Sequence, residues 1–243
     1  APTAVACGRI VLDGPLAEGI ERVVSTGHTT LSRPVARLLA RTDLPILHVG
    51  SLATFPTEAA DNVSFVEAIA AGPTADDAWS RSWIESGDRI AAALPAADPL
   101  TVARTVWDAA GEGLLVLGSS NPIRDADLVV PVRRPGPRVL ANRGLAGIDG
   151  TVSTAVGAAL AAGGRAIALM GDLTFLHGAN GLLIGPHEQR PDLTVVVLND
   201  DGGGIFHTLE QGAPDYDGVF ERIFGTPTRT AIDALCAAHG VPH

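Results

Sequence analysis

The stretch that most constrains this chain runs from Ala166 to Phe206, AIALMGDLTFLHGANGLLIGPHEQRPDLTVVVLNDDGGGIF. Two apolar runs, Ala166 to Met170 and Leu193 to Leu198, have the length and β-branched content of parallel strands buried on both faces. Each ends in a turn of acids and glycines: Gly171-Asp172 after the first, Asn199-Asp200-Asp201-Gly202-Gly203-Gly204 after the second. The segment between them is long enough for a crossover helix, expected over about Phe175 to Gly185. The whole reads as a βαβ unit. Open α/β sheets hold ligands at the carboxyl ends of their strands, where both acidic turns fall.

Those turns suit a divalent metal that holds a diphosphate. Mg²⁺ prefers octahedral oxygen ligands and usually takes one or two carboxylates together with phosphate oxygens. Asp172 and an Asn199 or Asp200 oxygen can supply the protein's share from neighbouring strand ends. Glycines let the backbone approach a diphosphate and turn its N–H and C=O groups toward anion and ion. Either turn alone is ordinary loop chemistry; the pair, at two strand ends of one unit, points to a site.

Asp172 stands 27 positions before Asn199 and 28 before Asp200. Gly-Asp, that gap and Asn-Asp-x-Gly together resemble the fingerprint of the thiamine diphosphate (ThDP) enzymes. The blocks SSNPIRD (Ser119 to Asp125), ANRGLAGIDGTVSTAVGAAL (Ala141 to Leu160) and NDDGGGIF narrow the resemblance. They are similar to the transferase branch that joins 2-oxoglutarate, with loss of CO₂, to isochorismate in menaquinone biosynthesis. The resemblance runs from about Arg22 to the end and is densest from Gly118 to Gly225.

The resemblance implies site residues one by one. Asp172, Asp200 and the Gly202 carbonyl would hold Mg²⁺ or Mn²⁺. Gly171, Asp172, Leu173, Thr174, Gly202, Gly203 and Ile205 would line the cofactor, with Ile148 the apolar wedge against it. Ser120, Arg124, Arg143 and Phe206 would meet substrate; a guanidinium binds carboxylate in a bidentate fork and stays charged at any working pH. Many ThDP enzymes carry Asn where Asp200 stands. A second carboxylate raises affinity for a hard cation and adds repulsion toward a diphosphate, so ion and cofactor are expected to bind in a strongly coupled way.

The resemblance also implies three domains, of which the pyrimidine-binding one, with the glutamate that activates the cofactor, is not in this sequence. The chain is therefore expected to be an excised portion without catalytic residues of its own: residues 1–96 part of a central domain, residues 97–243 a truncated diphosphate-binding domain. The expected fold is α/β, two Rossmann-like three-layer domains with mainly parallel sheets. A homodimer or tetramer is expected for the intact enzyme. Two rivals stay open: another ThDP enzyme of the acetolactate synthase or 2-oxoacid decarboxylase kind, and a Rossmann nucleotide-binding protein without ThDP. The second is poorly served, because Gly202-Gly203-Gly204 lacks the spacing of a dinucleotide loop.

A formal charge of −10 argues against nucleic acid or a membrane surface as partner. The 243 residues carry 17 Arg and no Lys, so where each arginine lies matters more than the balance. Cys7 and Cys236 lack metal-ligand spacing, as expected in a reducing cytoplasm. No apolar run approaches the ~18 residues of a membrane span.

In chain order, residues 1–21 are weakly patterned. Strands are expected at Glu21 to Ser25, Pro45 to Val49 and Val63 to Ile69, with a helix from about Leu31 to Arg41. The polar turn His28 to Arg33 reads as a βα connection rather than a ligand pocket. Trp79 to Leu94 has helical periodicity, with Trp79 and Trp83 expected in a core. PAADP, Pro95 to Pro99, interrupts two helical patterns and marks the boundary. Beyond it come a helix (Thr101 to Ala110), strands (Leu114 to Leu117, Arg138 to Ala141), a small-residue helix (Thr151 to Ala162) and a last helix near Ile232 to Ala238.

Overall fold

The computed structural model describes residues 3–28, 32–55, 59–70, 77–96, 98–132, 134–142 and 147–243. The fold is α/β. Two compact units divide the chain: Ala1–Pro95 with Pro131–Arg133, and Ala96–Val130 with Arg134–His243.

The first unit is built on three parallel strands, β1 (Val23–Thr26), β2 (Ile46–Val49) and β3 (Val63–Val66), in that order. Helix α1 (Gly8–Val11) occupies the weakly patterned start; it is too short to leave a periodic signal. Helix α2 (Arg33–Leu39) is capped by Ser32, whose Oγ accepts from the Val35 amide at 3.4 Å. Leu39, Ile46 and Phe55 form the core, with Val23, Val35 and Val63 against it. His28 Nδ1 donates to the Thr54 carbonyl at 3.1 Å, as a polar turn should. Helix α3 (Asp77–Ala93) carries the two tryptophans 5.4 Å apart between ring centres. Trp79 is 48% exposed, so the expectation of a core pair fails for that residue; its ring edges a surface cavity beside Arg22 and Leu38.

The second unit holds four parallel strands in the order β5-β4-β6-β7: β4 (Leu114–Leu117), β5 (Arg138–Ala141), β6 (Ala166–Gly171) and β7 (Leu193–Leu198). β4 and β6, in the middle, are continuous apolar runs because helices cover both faces. Alternate residues serve opposite layers. Leu114, Val116, Ala166, Ala168 and Met170 meet α6 (Thr151–Ala162), α7 (Asp172–His177) and α8 (Ile232–Ala238). Leu115, Leu117, Ile167 and Leu169 meet α4 (Asp98–Ala110) and α5 (Asn121–Val129). Small side chains on α6, Ala155 and Ala159 among them, let that helix lie close on the sheet.

Register brings the loops together. Gly171 pairs with Leu198, so Asp172 and Asn199 leave adjacent strand ends side by side. Leu117 pairs with both Leu169 and Ala141, which brings the Ser119 turn and Asn142 to the same edge. The chain leaves β4 toward α5 on one face and β6 toward α7 on the other. That divergence opens a crevice at the carboxyl edge, as at the switch point of doubly wound sheets.

The crossover after β6 differs from the expected helix over Phe175 to Gly185. The helix begins at once, at Asp172, ends at His177, and passes into a 3₁₀ turn over Ala179–Leu182. A Cβ on Gly181 would press within 2.8 Å of the Ser153 backbone, so close packing on α6, not helix formation, sets that residue. No helix among the described residues is long and apolar enough to cross a membrane.

Leu169, with no exposed surface at the sheet centre, gives a direct test of this core. Leu169→Ala should lower the stability of the second unit by about 2–5 kcal/mol in urea unfolding. A change below about 1 kcal/mol would mean that the sheet centre is not the packed interior described.

Candidate active site

Asp172 is the first residue of α7, with Gly171 before it in extended conformation. An acid in a helix's first turn is favoured by the helix dipole. Yet Asp172 is only 2% exposed, and its Oδ2 has no hydrogen-bond partner. Burial raises its pKa above the ordinary carboxylate value, the Leu173 backbone amide pulls it back, and the nearby Asp200 carboxylate pushes it up again. A buried carboxylate with an unsatisfied oxygen, set against a second carboxylate, is costly unless something positive lies between them.

The loop after β7 directs Asp200 to that place. Asn199 Oδ1 accepts from the Asp201 amide at 3.1 Å, closing an Asx turn. Asp201 sits at φ 56° and its Oδ1 accepts from the Arg229 amide at 2.9 Å. Both neighbours are thus engaged within the protein, and Asp200 is the acid that faces Asp172. The three glycines are a steric requirement. At Gly202, with φ 138°, a Cβ would overlap the Gly225 carbonyl oxygen; at Gly203 it would overlap that of Phe224. At Gly204 it would overlap the Asp200 carboxylate itself.

These parts line a cavity of about 390 Å³. Gly171, Asp172, Leu173, Thr174, Asp200, Gly202, Gly203, Ile205 and Phe206, all singled out in the sequence, lie on its wall, joined by Ile148 and Ser120. Ser120 carries a left-handed φ of 80° in the turn before α5, a strained conformation of the kind found at functional sites. Arg124 is not on the wall: its Nη1 donates to the Ser120 carbonyl at 2.7 Å. The residues of α5 that face the cavity are Asn121, Pro122 and Asp125. Sequence reasoning missed Asn121 and Asp125, although their spacing of four places them on one helix face. It also missed the part played by Gly204. Arg143 lies outside the described residues.

Among the described residues no group of three or more His, Cys, Asp or Glu side chains could form a metal cage. Two neighbouring carboxylates on the wall of a cavity with room for a polyanion fit instead a hard divalent ion that completes its shell with phosphate oxygens. The donor set at this edge of the α/β unit is of the kind that suits a diphosphate group carried through a cation.

Residues 125–243 match the family described as thiamine pyrophosphate enzyme, C-terminal TPP binding domain. The chain as a whole is homologous to proteins named 2-succinyl-5-enolpyruvyl-6-hydroxy-3-cyclohexene-1-carboxylate synthase. It is 52% identical to that of Saccharopolyspora erythraea over 92% of this chain and 42% of the relative. With that of Nocardioides sp. the identity is 50%, over 97% and 48%; with that of Nocardia farcinica it is 53%, over 91% and 42%. The chain thus spans less than half the length of these curated relatives.

Two outcomes test the geometry. Asp172→Asn should stabilise the metal-free protein at neutral pH while abolishing cation binding. The raised native pKa means that Asp172 weakens the fold once pH passes its unfolded value, and more so through the native one, so the gain should vanish in acid. Thermal melts at pH 7 and near pH 3, without metal, read this; a loss of stability at pH 7 would contradict it. Gly204→Ala should displace the Asp200 carboxylate and weaken Mn²⁺ binding by roughly tenfold or more, the scale of one lost charge-assisted contact. An unchanged Mn²⁺ titration would remove Asp200 from the site.

Proposed function

We propose that this chain forms the central and diphosphate-binding parts of a ThDP-dependent transferase, a 2-succinyl-5-enolpyruvyl-6-hydroxy-3-cyclohexene-1-carboxylate synthase. The observation that carries the reading is the Asp172 carboxylate, buried with an oxygen unsatisfied and set close to that of Asp200 on the wall of one cavity. About 50% identity over nearly the whole chain supports the particular enzyme. The substrates are 2-oxoglutarate and isochorismate, the cation is Mg²⁺ or Mn²⁺, and the working form is a cytoplasmic homo-oligomer.

ThDP, when bound, supplies the electron sink that lets a 2-oxoacid lose CO₂ and form a new carbon–carbon bond. The protein's residues supply position and charge. Asp172, Asp200 and the Gly202 carbonyl hold the cation that neutralises the diphosphate. Ile148, Ile205 and Phe206 keep water from the reacting end of the cavity. Ser120 and Arg124, linked through the Ser120 carbonyl, together with Arg143, bind substrate carboxylates, which both substrates carry.

In the full-length enzyme, Arg124→Ala should lower kcat/KM for 2-oxoglutarate or isochorismate roughly tenfold or more, the worth of one hydrogen bond to a charged group. The ThDP concentration giving half activity should change little. An unchanged kcat/KM for both substrates, or a loss confined to ThDP binding, would take Arg124 out of the substrate site.

A further inference from the structure

Ile148 has no regular structure to hold it. It lies between β5 and α6 and yet forms part of the cavity wall. Two consecutive carbonyls at this point, those of Gly147 and Ile148, are each engaged by a buried hydroxyl from a different element. Ser119, at the carboxyl end of β4 and 4% exposed, places its Oγ 3.3 Å from the Gly147 carbonyl oxygen and 3.4 Å from that of Asn142. Thr151, the first residue of α6 and 1% exposed, donates its hydroxyl to the Ile148 carbonyl at 3.0 Å. Neither hydroxyl lines the cavity.

We propose that Ser119 and Thr151 are positioning residues: through the Gly147 and Ile148 carbonyls they fix the Ile148 side chain against the cofactor. The inference rests on the reading of this cavity as a ThDP site. Its physical basis is the cost of leaving a buried carbonyl unpaired and the freedom of a loop that lacks a ladder of its own. β4 and α6 are among the best-packed elements of the second unit, with Val116 and Val152 in one core cluster. Tying both carbonyls to them gives Ile148 the rigidity of the sheet. An apolar wedge selects a cofactor conformation only if it cannot retreat, so hydroxyls that never touch the ligand can control how tightly it binds.

The test uses the full-length enzyme with Mg²⁺ and calorimetric ThDP binding. Thr151→Val keeps the side chain's shape and removes the donor; Thr151→Ser keeps the donor. Losing one neutral hydrogen bond should weaken ThDP binding about three- to tenfold in Thr151→Val, with Thr151→Ser close to the parent. Ser119→Ala should show a loss of the same order, and serves if Thr151→Val fails to fold. In an Ile148→Ala background, Thr151→Val should add less than about twofold, because a residue that acts through another shows non-additivity. Parental affinity in both Thr151→Val and Ser119→Ala would overturn the positioning role alone, as would a full, additive loss in the Ile148→Ala background. A parent enzyme that does not bind ThDP at all would overturn the cofactor reading and this inference together.

Discussion

The carboxylates of Asp172 and Asp200 face each other at the open edge of the second sheet, and much of the structure around them exists to hold that unfavourable pair in place. Asp172 is buried at a helix start, where its backbone is fixed by β6 and its neighbours by the core. Asp200 stands on a loop whose other polar side chains are already engaged, Asn199 by the Asp201 amide and Asp201 by the Arg229 amide. Without a cation the arrangement costs stability, as the raised Asp172 pKa records. A cation and diphosphate bound there would turn the same repulsion into affinity, because two pre-aligned acids need little reorganisation to coordinate.

The sheet order makes this possible. β6 and β7 are neighbours in register, so two residues far apart in sequence leave the edge together. β4 contributes the Ser119–Ser120 turn from the other side of the crevice, and α6 begins just beyond Ile148. These four segments, together with Pro99 of α4, wall one cavity, although none could form it alone. The glycine triplet is as much a part of the design as the acids. Side chains there would strike the backbone carbonyls of Phe224 and Gly225, or Asp200.

Much of this was legible in the sequence because the signals were local and strong. β4, β5, α6 and β7 have the extents read from their apolar runs and small-residue pattern. Spacing narrows the candidate oxygen ligand to Asn199 or Asp200, and the family resemblance selects Asp200; what turns Asp200 toward Asp172 is not in the spacing. That orientation depends on an Asx turn and on a bond from the Arg229 amide, which comes from a distant part of the chain. The crossover departs from its sequence pattern for a similar reason: Gly181 is set by its contact with Ser153 on α6, and no periodicity encodes that. Trp79 has helical spacing but faces outward. Arg124 follows the motif and bonds the Ser120 carbonyl, while Asn121 and Asp125 of the same helix line the cavity, because a side chain's direction depends on where the helix starts.

The proposed site turns on one cation held between Asp172 and Asp200 and carrying the diphosphate. The most direct measurement is a crystal structure of the protein with Mn²⁺ and ThDP, with data collected to locate manganese by its anomalous scattering. One strong peak is expected within coordinating distance of both carboxylates and the Gly202 carbonyl, with diphosphate oxygens completing the shell. Manganese elsewhere, or ThDP bound while the two carboxylates make no contact with an ion, would contradict it.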